Sequence, residues 1–341
     1  MVHRPEYYIM QLRFLIILLF VSIQAVTAQS YFRDPNWMDQ LSLSGALPEK
    51  LLSTRTVVFY DYRLTEKELK DTQEYFQRTG IDAIVYYELD IIMAGKDITR
   101  AYADMLNKRE ITNMAFLEKK DTGYRLILTA YNGKESIVDP KQTAWSASHT
   151  VLTELLKNLY RTAASVQKKQ NLLINDLPEI GPTVNPIMGK RNEFFAIDLK
   201  VDPLAVPRFG DEALDKQLEE IFKNNYPLKY KLTDPALTDK ELRKQGSLYV
   251  LCIVQGRGSA LKEVLGYPVT PSESALVSVT YPEAGHQQLK NIPSTTTVYK
   301  IYFKHIDSGN VFLGTKWDAD LTWDQALLNN VRGLKTELKL N

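Results

Sequence analysis

Two carboxylates, Glu88 and Asp90, are the residues of this sequence best placed to do chemistry together. They lie two residues apart in an apolar stretch, residues 81–92, that predicts a β-strand, so their side chains would share one face of it. Paired carboxylates can act as general acid and general base. Most such pairs lie on solvated sheet edges, and we favour that interpretation here.

A second acidic group, Asp318, Asp320 and Asp324, lies around the start of a predicted C-terminal helix. Carboxylates in this position stabilise the positive end of the helix dipole. The group lacks the glycine and the distal glutamate of a calcium-binding loop. We therefore predict helix capping, with weak cation binding as the alternative.

The histidines and the single cysteine have no spacing typical of a metal site. His149 falls on the apolar stripe of a predicted helix, His305 ends a predicted strand, and His286 lies in a loop. Cys252 lies in an apolar run, where a buried thiol packs as a small hydrophobic group. One cysteine cannot form an internal disulfide.

Residues 256–259, Gly-Arg-Gly-Ser, follow a predicted strand and resemble part of a phosphate-binding loop. They lack the third glycine of a dinucleotide fingerprint and the Gly-Lys-Ser/Thr of a P-loop, so a tight connection is the better interpretation. The sequence also has no Gly-x-Ser-x-Gly nucleophile elbow. It therefore predicts no catalytic residue, metal site or cofactor, and an enzyme is not the favoured class.

The N-terminal segment predicts export. Residues 14–21 form an apolar run preceded by Arg13, and Val26 and Ala28 fit the small-residue rule for cleavage after Ala28. Translation could begin at Met1 or at Met10. We expect a periplasmic or extracellular protein with no membrane-spanning helix after cleavage, because the apolar run is too short to span a bilayer comfortably. No cysteine follows the cleavage site, which disfavours a bacterial lipoprotein.

Composition is ordinary for a globular protein, with 44% hydrophobic and 24% charged residues. The formal net charge of +1 gives no bulk electrostatic reason to expect a nucleic-acid partner or an anionic membrane. The residues after position 28 are enough for about two domains.

The elements that position these residues are clearest in a C-terminal unit, residues 299–340. Residues 299–306 alternate, with Tyr299 and Phe303 on one face and Lys300 and Lys304 on the other, which predicts a strand that is packed on one face and wet on the other. A turn at residues 307–310 leads to a return strand over residues 311–317. A helix follows with an apolar stripe at helical spacing that starts at Trp323.

A similar unit is predicted earlier, between Tyr124 and about Ala163. Residues 124–130 alternate, Asn132-Gly133 is a strong hairpin signal, residues 136–138 would form the return strand, and Trp145 would open the helix. The same order of elements at similar spacing suggests a duplication.

The sequence as a whole predicts an α/β (α+β) fold of two similar mixed-sheet domains, each of order β-α-β-α-β-β-β-α, with helices packed on the sheet. In the first domain, Thr65 and Glu68 match a capping box and Gly80 ends that helix. The second domain would open with a strand over residues 194–201, and Asp211 would cap the helix that follows. The predicted divisions are a signal peptide, 1–28; a lead-in segment, 29–50; domain 1, 51–165; a Pro/Gly-containing linker, 166–192; and domain 2, 193–341.

The strand, the Asp307-Ser308-Gly309 turn, the return strand and the C-terminal helix resemble the small α/β domain of the TolB N-terminal region and of CsgG-like envelope proteins. The resemblance covers about 120 residues in each copy, mostly through the order of elements. Asn132-Gly133 in the first copy lacks the Asp of that turn. The resemblance implies an adaptor or assembly role in a bacterial envelope.

Two functions are carried forward from the sequence. In the first, the chain is an exported, non-enzymatic binding or assembly protein of the bacterial envelope, with a protein partner at an open sheet edge or in the cleft between domains. In the second, it is a hydrolase with a site between the domains, built from Glu88, Asp90 or the Asp318 group. The sequence leaves open the identity of the partner or ligand and the oligomeric state.

Overall fold

The computed structural model describes residues 38, 41–43, 45–166, 168–270, 273–282 and 286–340. The predicted signal peptide, the cleavage position at Ala28 and most of the lead-in segment lie outside the described residues. The described residues form a mixed α/β structure with eight α-helices and two large mixed sheets, of seven and six strands. Helices pack on both sheets, which confirms the predicted fold class.

The seven-stranded sheet lies in the N-terminal half of the chain. Its strand order is β1-β6-β5-β4-β2-β3-β7. The strands are β1 (Ser42–Leu43), β2 (Arg55–Tyr60), β3 (Asp82–Glu88), β4 (Ile111–Lys120), β5 (Gly123–Ala130), β6 (Thr143–His149) and β7 (Glu179–Ile180). The helices are α1 (Glu66–Thr79), α2 (Leu89–Ile92), α3 (Lys96–Lys108) and α4 (Leu152–Val166).

The six-stranded sheet lies in the C-terminal half, with the order β10-β9-β11-β14-β15-β8, and β12 and β13 form a separate pair. The strands are β8 (Arg191–Asn192), β9 (Leu204–Pro207), β10 (Tyr230–Thr233), β11 (Tyr249–Arg257), β12 (Ala275–Thr280), β13 (Gln288–Pro293), β14 (Thr297–His305) and β15 (Val311–Phe312). The helices are α5 (Glu212–Asn225), α6 (Asp239–Lys244), α7 (Gly258–Val264) and α8 (Trp323–Glu337).

The two halves share one strand order. In the first, β3-β2-β4 are parallel and β4-β5-β6 are antiparallel. In the second, β10-β9-β11 are parallel and β11-β14-β15 are antiparallel. The second half differs by the insertion of α7, β12 and β13 between β11 and β14. The order of elements expected from the sequence therefore recurs in both sheets.

Local signals define several helix ends as expected. The side chain of Thr65 accepts from the Glu68 N–H and the Glu68 carboxylate accepts from the Thr65 N–H, so the capping box at α1 is formed. Gly80 ends the same helix with φ of 101°, a conformation that glycine adopts without steric cost. Asp211 caps α5 by accepting from the N–H groups of Ala213 and Leu214.

Two predicted elements of the repeat are wrong. The return strand in the first half is β6, not residues 136–138; Ile137 has φ of 68° and lies in a turn. Trp145 lies within β6, where it packs into an apolar cluster, and the helix begins at Leu152. An aromatic residue suits a half-buried strand as well as a helix, so the tryptophan was a poor marker.

The position predicted for the opening strand of the second half is also wrong. Residues 194–201 contain a 3₁₀ turn, Ile197–Lys200, rather than a strand. The strand is β9, which starts after Pro203 and is buried along its whole length. Phe194, Ile197 and Val201 are exposed, so residues 194–201 do not pack an apolar face against a sheet.

Three apolar clusters hold these layers together. Helices α1 and α4 cover one face of the seven-stranded sheet, and α5 and α8 cover one face of the six-stranded sheet. The remaining faces of both sheets contribute to one shared cluster together with α3. That cluster includes Phe59 and Met114 from the first half and Val250, Val254 and Tyr302 from the second. The two halves are therefore joined by a common core.

The junction between the halves carries two short strands. Strand β7 pairs with β3 at the edge of the seven-stranded sheet, and β8 pairs with β15 at the edge of the six-stranded sheet. The segment predicted as a linker, residues 166–192, therefore contains two short paired strands. The chain is anchored before β7 as well, because the N–H groups of Gln170 and Asn171 donate to the Leu52 carbonyl.

Candidate functional site

Glu88 and Asp90 meet an arginine from the other half of the chain. Glu88 is the last residue of β3 and Asp90 lies in α2, so the single strand face predicted for them is wrong. Arg257, the last residue of β11, donates through Nε to Asp90 Oδ2 at 2.9 Å and through Nη2 to Glu88 Oε2. The carboxylates are brought together by a bridge between the halves.

The Arg257 bridge is largely removed from solvent. The arginine side chain is 13% exposed, and its guanidinium lies 4.5 Å from the centre of the Tyr62 ring. Burial raises the pKa of Glu88 above its ordinary value; the Arg257 charge opposes this shift, while Asp90 adds to it. A raised carboxyl pKa is a feature of general acids, but both carboxylates here are already bound to a cation. The arrangement favours an ion pair over acid–base work.

The Gly-Arg-Gly-Ser run is a tight connection between β11 and α7. The N–H of Gly258 donates to the Thr296 carbonyl and the N–H of Ser259 donates to the Ser294 carbonyl, both at 3.0 Å. The Ser259 hydroxyl oxygen lies 2.5 Å from Arg257 Nη1. Amides that donate to carbonyls cannot cradle a phosphate, so the geometry agrees with the interpretation preferred from the sequence.

A second polar cluster between the halves was not found from the sequence. Lys304 on β14 donates to Asp97 Oδ1 at 2.7 Å and lies 3.0 Å from Asp239 Oδ2. The Tyr302 hydroxyl lies 3.3 Å from the other Asp97 oxygen. Burial alone lowers the pKa of Lys304, but Cys252 and Asp97 raise it above its ordinary value overall. The ammonium therefore stays charged inside the interface.

The two lysines of β14 lie on the face that was predicted to be solvent-exposed, and the structure shows that this face is buried. Lys300 is fully buried and Lys304 is 9% exposed. Lys300 donates to Asp318 Oδ1 at 2.5 Å and to the Leu313 carbonyl at 2.8 Å. Burial alone lowers the pKa of Lys300, but the facing Asp318 charge raises it overall. This face of β14 is interior, and its charges are paired there.

The Asp318 group does not cap the last helix as a unit. Asp318 binds Lys300, and Asp320 binds Lys290 at 2.5 Å and the Asn329 amide at 3.2 Å. Only Asp324 lies in the first turn of α8. Helix capping is therefore the wrong interpretation for the first two carboxylates, because Lys300, which is buried, and Lys290, which is partly exposed, pair with them instead.

The histidines and the cysteine remain separate from one another. His149 ends β6 instead of joining a helix stripe, and its Nδ1 accepts from the Val151 N–H at 3.0 Å. His305 packs edge-on against Tyr249, and His286 is exposed just before β13. Burial is the main cause that raises the pKa of the Cys252 thiol. The thiol is therefore a poor nucleophile.

Exposed apolar side chains are concentrated in one stretch of the chain, residues 172–201, at and just after the junction. We call it the junction surface; its members are Leu172, Leu173, Leu177, Ile180, Met188, Phe194, Ile197 and Val201. These are eight of the sixteen exposed large hydrophobic side chains found among the described residues. Leu172, Leu173 and Met188 are about nine-tenths exposed. Within about thirty residues, the chain exposes large apolar side chains of the kind that it mostly buries elsewhere.

Comparison with known proteins gives no relative. No protein-family model matches the chain, and no match is found among the curated proteins or the solved structures. Within the described ranges, no group of three or more His, Cys, Asp or Glu side chains is placed to hold a metal ion. No described helix has both the length and the apolar character needed to cross a bilayer.

Proposed function

We propose that this chain is an exported binding or assembly protein of the bacterial cell envelope, and that the junction surface contacts its protein partner. The export signal read from residues 13–28 supports the compartment. The resemblance to TolB-type and CsgG-like envelope domains points to an adaptor role. The observation that carries the proposal is the concentration of exposed apolar side chains in the junction.

Large exposed apolar side chains that lie close together along one segment are candidate contacts for a partner protein. Single exposed hydrophobic residues are normal, whereas contiguous patches mark protein or membrane interaction sites. Leu172, Leu173 and Leu177 lie close along the chain, next to the edge strand β7 with Ile180. A protein partner would remove these side chains from water and gain about 25 cal/mol for each Å² of apolar area buried.

The polar groups between the halves support a binding role better than a catalytic one. Glu88 and Asp90 are held by Arg257, and Asp97 is held by Lys304. Such pairs fix one half against the other and so hold the junction in a defined shape. An interdomain hydrolase site built from Glu88 and Asp90 would use carboxylates that are already paired with Arg257.

Capture from envelope extracts tests the junction surface. Wild-type chain and a Leu172→Ser, Leu173→Ser, Leu177→Ser variant would be crosslinked gently in the same extract and their partners compared by mass spectrometry. We expect one or a few proteins to be recovered with wild type and to fall at least about tenfold with the variant, since large apolar anchors dominate interfaces.

A matched control removes an exposed apolar group elsewhere. Tyr160→Ser on α4 alters a side chain that is 46% exposed and lies outside the junction. Capture should be unchanged with this variant. If wild type recovers no specific protein, or if the triple variant and the control recover the same ones, the proposed surface is wrong.

A further inference from the structure

Residues 169–181 lie at the β3 edge of the seven-stranded sheet, and we call them the strap. The strap contains β7, which pairs with two residues of β3. Four members of the junction surface belong to it: Leu172, Leu173, Leu177 and Ile180. The way in which the strap is attached therefore decides how half of that surface is presented to a partner.

The first attachment is at the start of the strap. The N–H groups of Gln170 and Asn171 both donate to the Leu52 carbonyl, at 3.0 and 2.9 Å. The side-chain amide of Asn171 donates to the Gly80 carbonyl at 2.9 Å. These bonds fix the chain shortly after the end of α4.

The second attachment is at Asn175. Its N–H donates to Asp82 Oδ1 at 3.0 Å, and its carbonyl accepts from the side-chain amides of Gln73 at 2.7 Å and of Gln77 at 3.2 Å. The Gln77 amide also donates to Asp176 Oδ1 at 3.1 Å. Each of these bonds replaces a bond to water, so its net contribution to stability is small.

The third attachment is at β7. Arg109 donates to both carboxylate oxygens of Glu179, at 2.9 and 2.7 Å, and the Gly181 N–H donates to the Tyr86 carbonyl at 2.8 Å. The Glu179 side chain is 54% exposed, so water and salt screen this ion pair. Strand β7 has only two residues.

The strap has no share in the apolar core. Of the described residues 169–181, none is a member of the three apolar clusters. Leu172 and Leu173 are neighbours and are 94% and 91% exposed, so these two side chains make almost no contact with the protein. Lifting the strap would therefore replace polar bonds with bonds to water and would expose little apolar surface of the strap itself.

Segments with few buried apolar contacts and solvent-exposed hydrogen bonds open locally while the core of a protein stays closed. We propose that the strap opens from β3 as one unit while both halves stay folded, and that the partner binds the open strap. The inference rests on the proposed binding function and adds a conformational change at the junction surface. A partner that surrounds the open strap can bury its leucines from every side, and this differential contact shifts the population towards the open form.

Native-state hydrogen exchange of the full exported chain tests the opening without any partner. The amides of Asn171, Asn175 and Gly181 each donate within one of the three attachments. After correction for intrinsic rates, we expect them to exchange at least about a hundredfold faster than the amide of Val58 in the central strand β2. Urea below the unfolding transition should leave their rates nearly unchanged, because a local opening exposes little surface.

One variant weakens the attachment without touching the core. Gln77→Ala removes a side chain that makes two bonds to the strap. The strap amides should then exchange about threefold to tenfold faster, the scale of one hydrogen bond, and the Val58 amide should not change. Glu74→Ala on the same helix is the matched control, because Glu74 pairs within α1, and its strap amides should exchange as in wild type.

A removable crosslink tests whether the partner needs the open form. In a Gln77→Cys, Asp176→Cys variant, a bis-methanethiosulfonate crosslinker joins α1 to the strap, and dithiothreitol removes it. Cys252 is buried and should not react. We expect the crosslinked protein to recover at least about tenfold less partner from the envelope extract than the same protein after dithiothreitol, since large apolar anchors dominate interfaces.

Two results would overturn the proposal. Strap amides that exchange only with global unfolding would show that the strap does not open by itself. Equal capture with and without the crosslink would show that the partner binds the attached strap. A wild-type chain that captures no protein would overturn the junction proposal and the partner's role here, whereas the exchange experiment decides separately whether the strap opens.

Discussion

The ammonium of Lys304 lies 2.7 Å from a carboxylate oxygen of Asp97, and this bond joins the two halves of the chain. Both side chains are only 11% exposed. Replacing Asp97 with Asn would leave the lysine charge with Asp239 alone. We expect a loss of about 2 to 3 kcal/mol in the free energy of unfolding, because removing one partner of a buried pair leaves the other charge without its nearest counter-charge. Urea denaturation measures it.

The same helix provides the control for this change. Asp104 on α3 is exposed, so Asp104→Asn should alter stability by less than about 0.5 kcal/mol. Equal losses for the two variants would show that the Lys304 bond contributes little. Two separate unfolding transitions in the wild type would show that the shared core does not couple the halves.

Local sequence signals predicted helix ends well. The Thr65–Glu68 box, Gly80 and the Asp211 cap are all formed, since each depends on residues within four positions of one another. The order of strands and helices was also predictable, because it follows from apolar periodicity. These signals need no knowledge of distant parts of the chain.

The interior charges could not be predicted in the same way. Alternation along β14 correctly separated two faces, but a face with Lys300 and Lys304 read as solvent-exposed. Asp97, whose carboxylate neutralises Lys304, is 207 residues away from it in sequence. Asp90, whose carboxylate accepts from Arg257 Nε, is 167 residues away from that arginine. No local pattern encodes such a partner, so the interface between the halves was missed.

Gly95 allows the two halves to approach closely. A Cβ atom at this position would lie 2.7 Å from a methyl carbon of Val254 and 3.1 Å from the Ile253 carbonyl oxygen. Gly95→Ala should therefore destabilise the chain by about 1 to 3 kcal/mol through overpacking. Thermal unfolding followed by circular dichroism measures the change.

Gly333 provides a comparison of opposite sign. It lies inside α8, and a Cβ there would meet nothing closer than 3.7 Å, the ring of Tyr281. Gly333→Ala should raise stability by about 0.5 to 1 kcal/mol, because alanine favours a helix interior. If Gly95→Ala is neutral or stabilising, the close contact with Val254 is not maintained in solution.

Glu68 should make stability depend on acid. Burial raises the pKa of Glu68, but bonds from the Thr65 N–H, Tyr124, Lys119 and the Thr65 hydroxyl outweigh it and lower the pKa from 4.5 to about 2. A carboxyl whose pKa is lowered by folding adds stability that is complete above its unfolded pKa and is lost as pH falls. We expect Glu68→Gln to cost about 1 to 2 kcal/mol at pH 7, after allowance for solvent screening.

The difference between wild type and Glu68→Gln should shrink between about pH 4.5 and pH 2. Urea denaturation at a series of pH values measures this convergence. Glu66→Gln, at an exposed position in the same first turn, is the control and should show a much smaller change. A difference that stays constant down to pH 2 would contradict the assigned pKa.

Lys300 and Asp318 should be strongly coupled, because both are buried and their charged atoms lie 2.5 Å apart. Lys300→Met or Asp318→Asn alone leaves one charge without its partner and should cost about 3 to 5 kcal/mol. The double variant removes both charges, so its cost should fall below the sum of the two by about 2 to 3 kcal/mol. A double-mutant cycle from denaturation curves gives the coupling energy.

The surface pair Lys134–Asp139 is the matched control for that cycle. Its atoms lie 3.1 Å apart, but the side chains are 65% and 48% exposed. Water and salt screen such a pair, so its coupling should stay below about 1 kcal/mol. Raising the salt concentration should weaken the surface coupling and leave the buried one nearly unchanged. Equal coupling in the two cycles would mean that solvent reaches Lys300, which would contradict the packed interior face of β14.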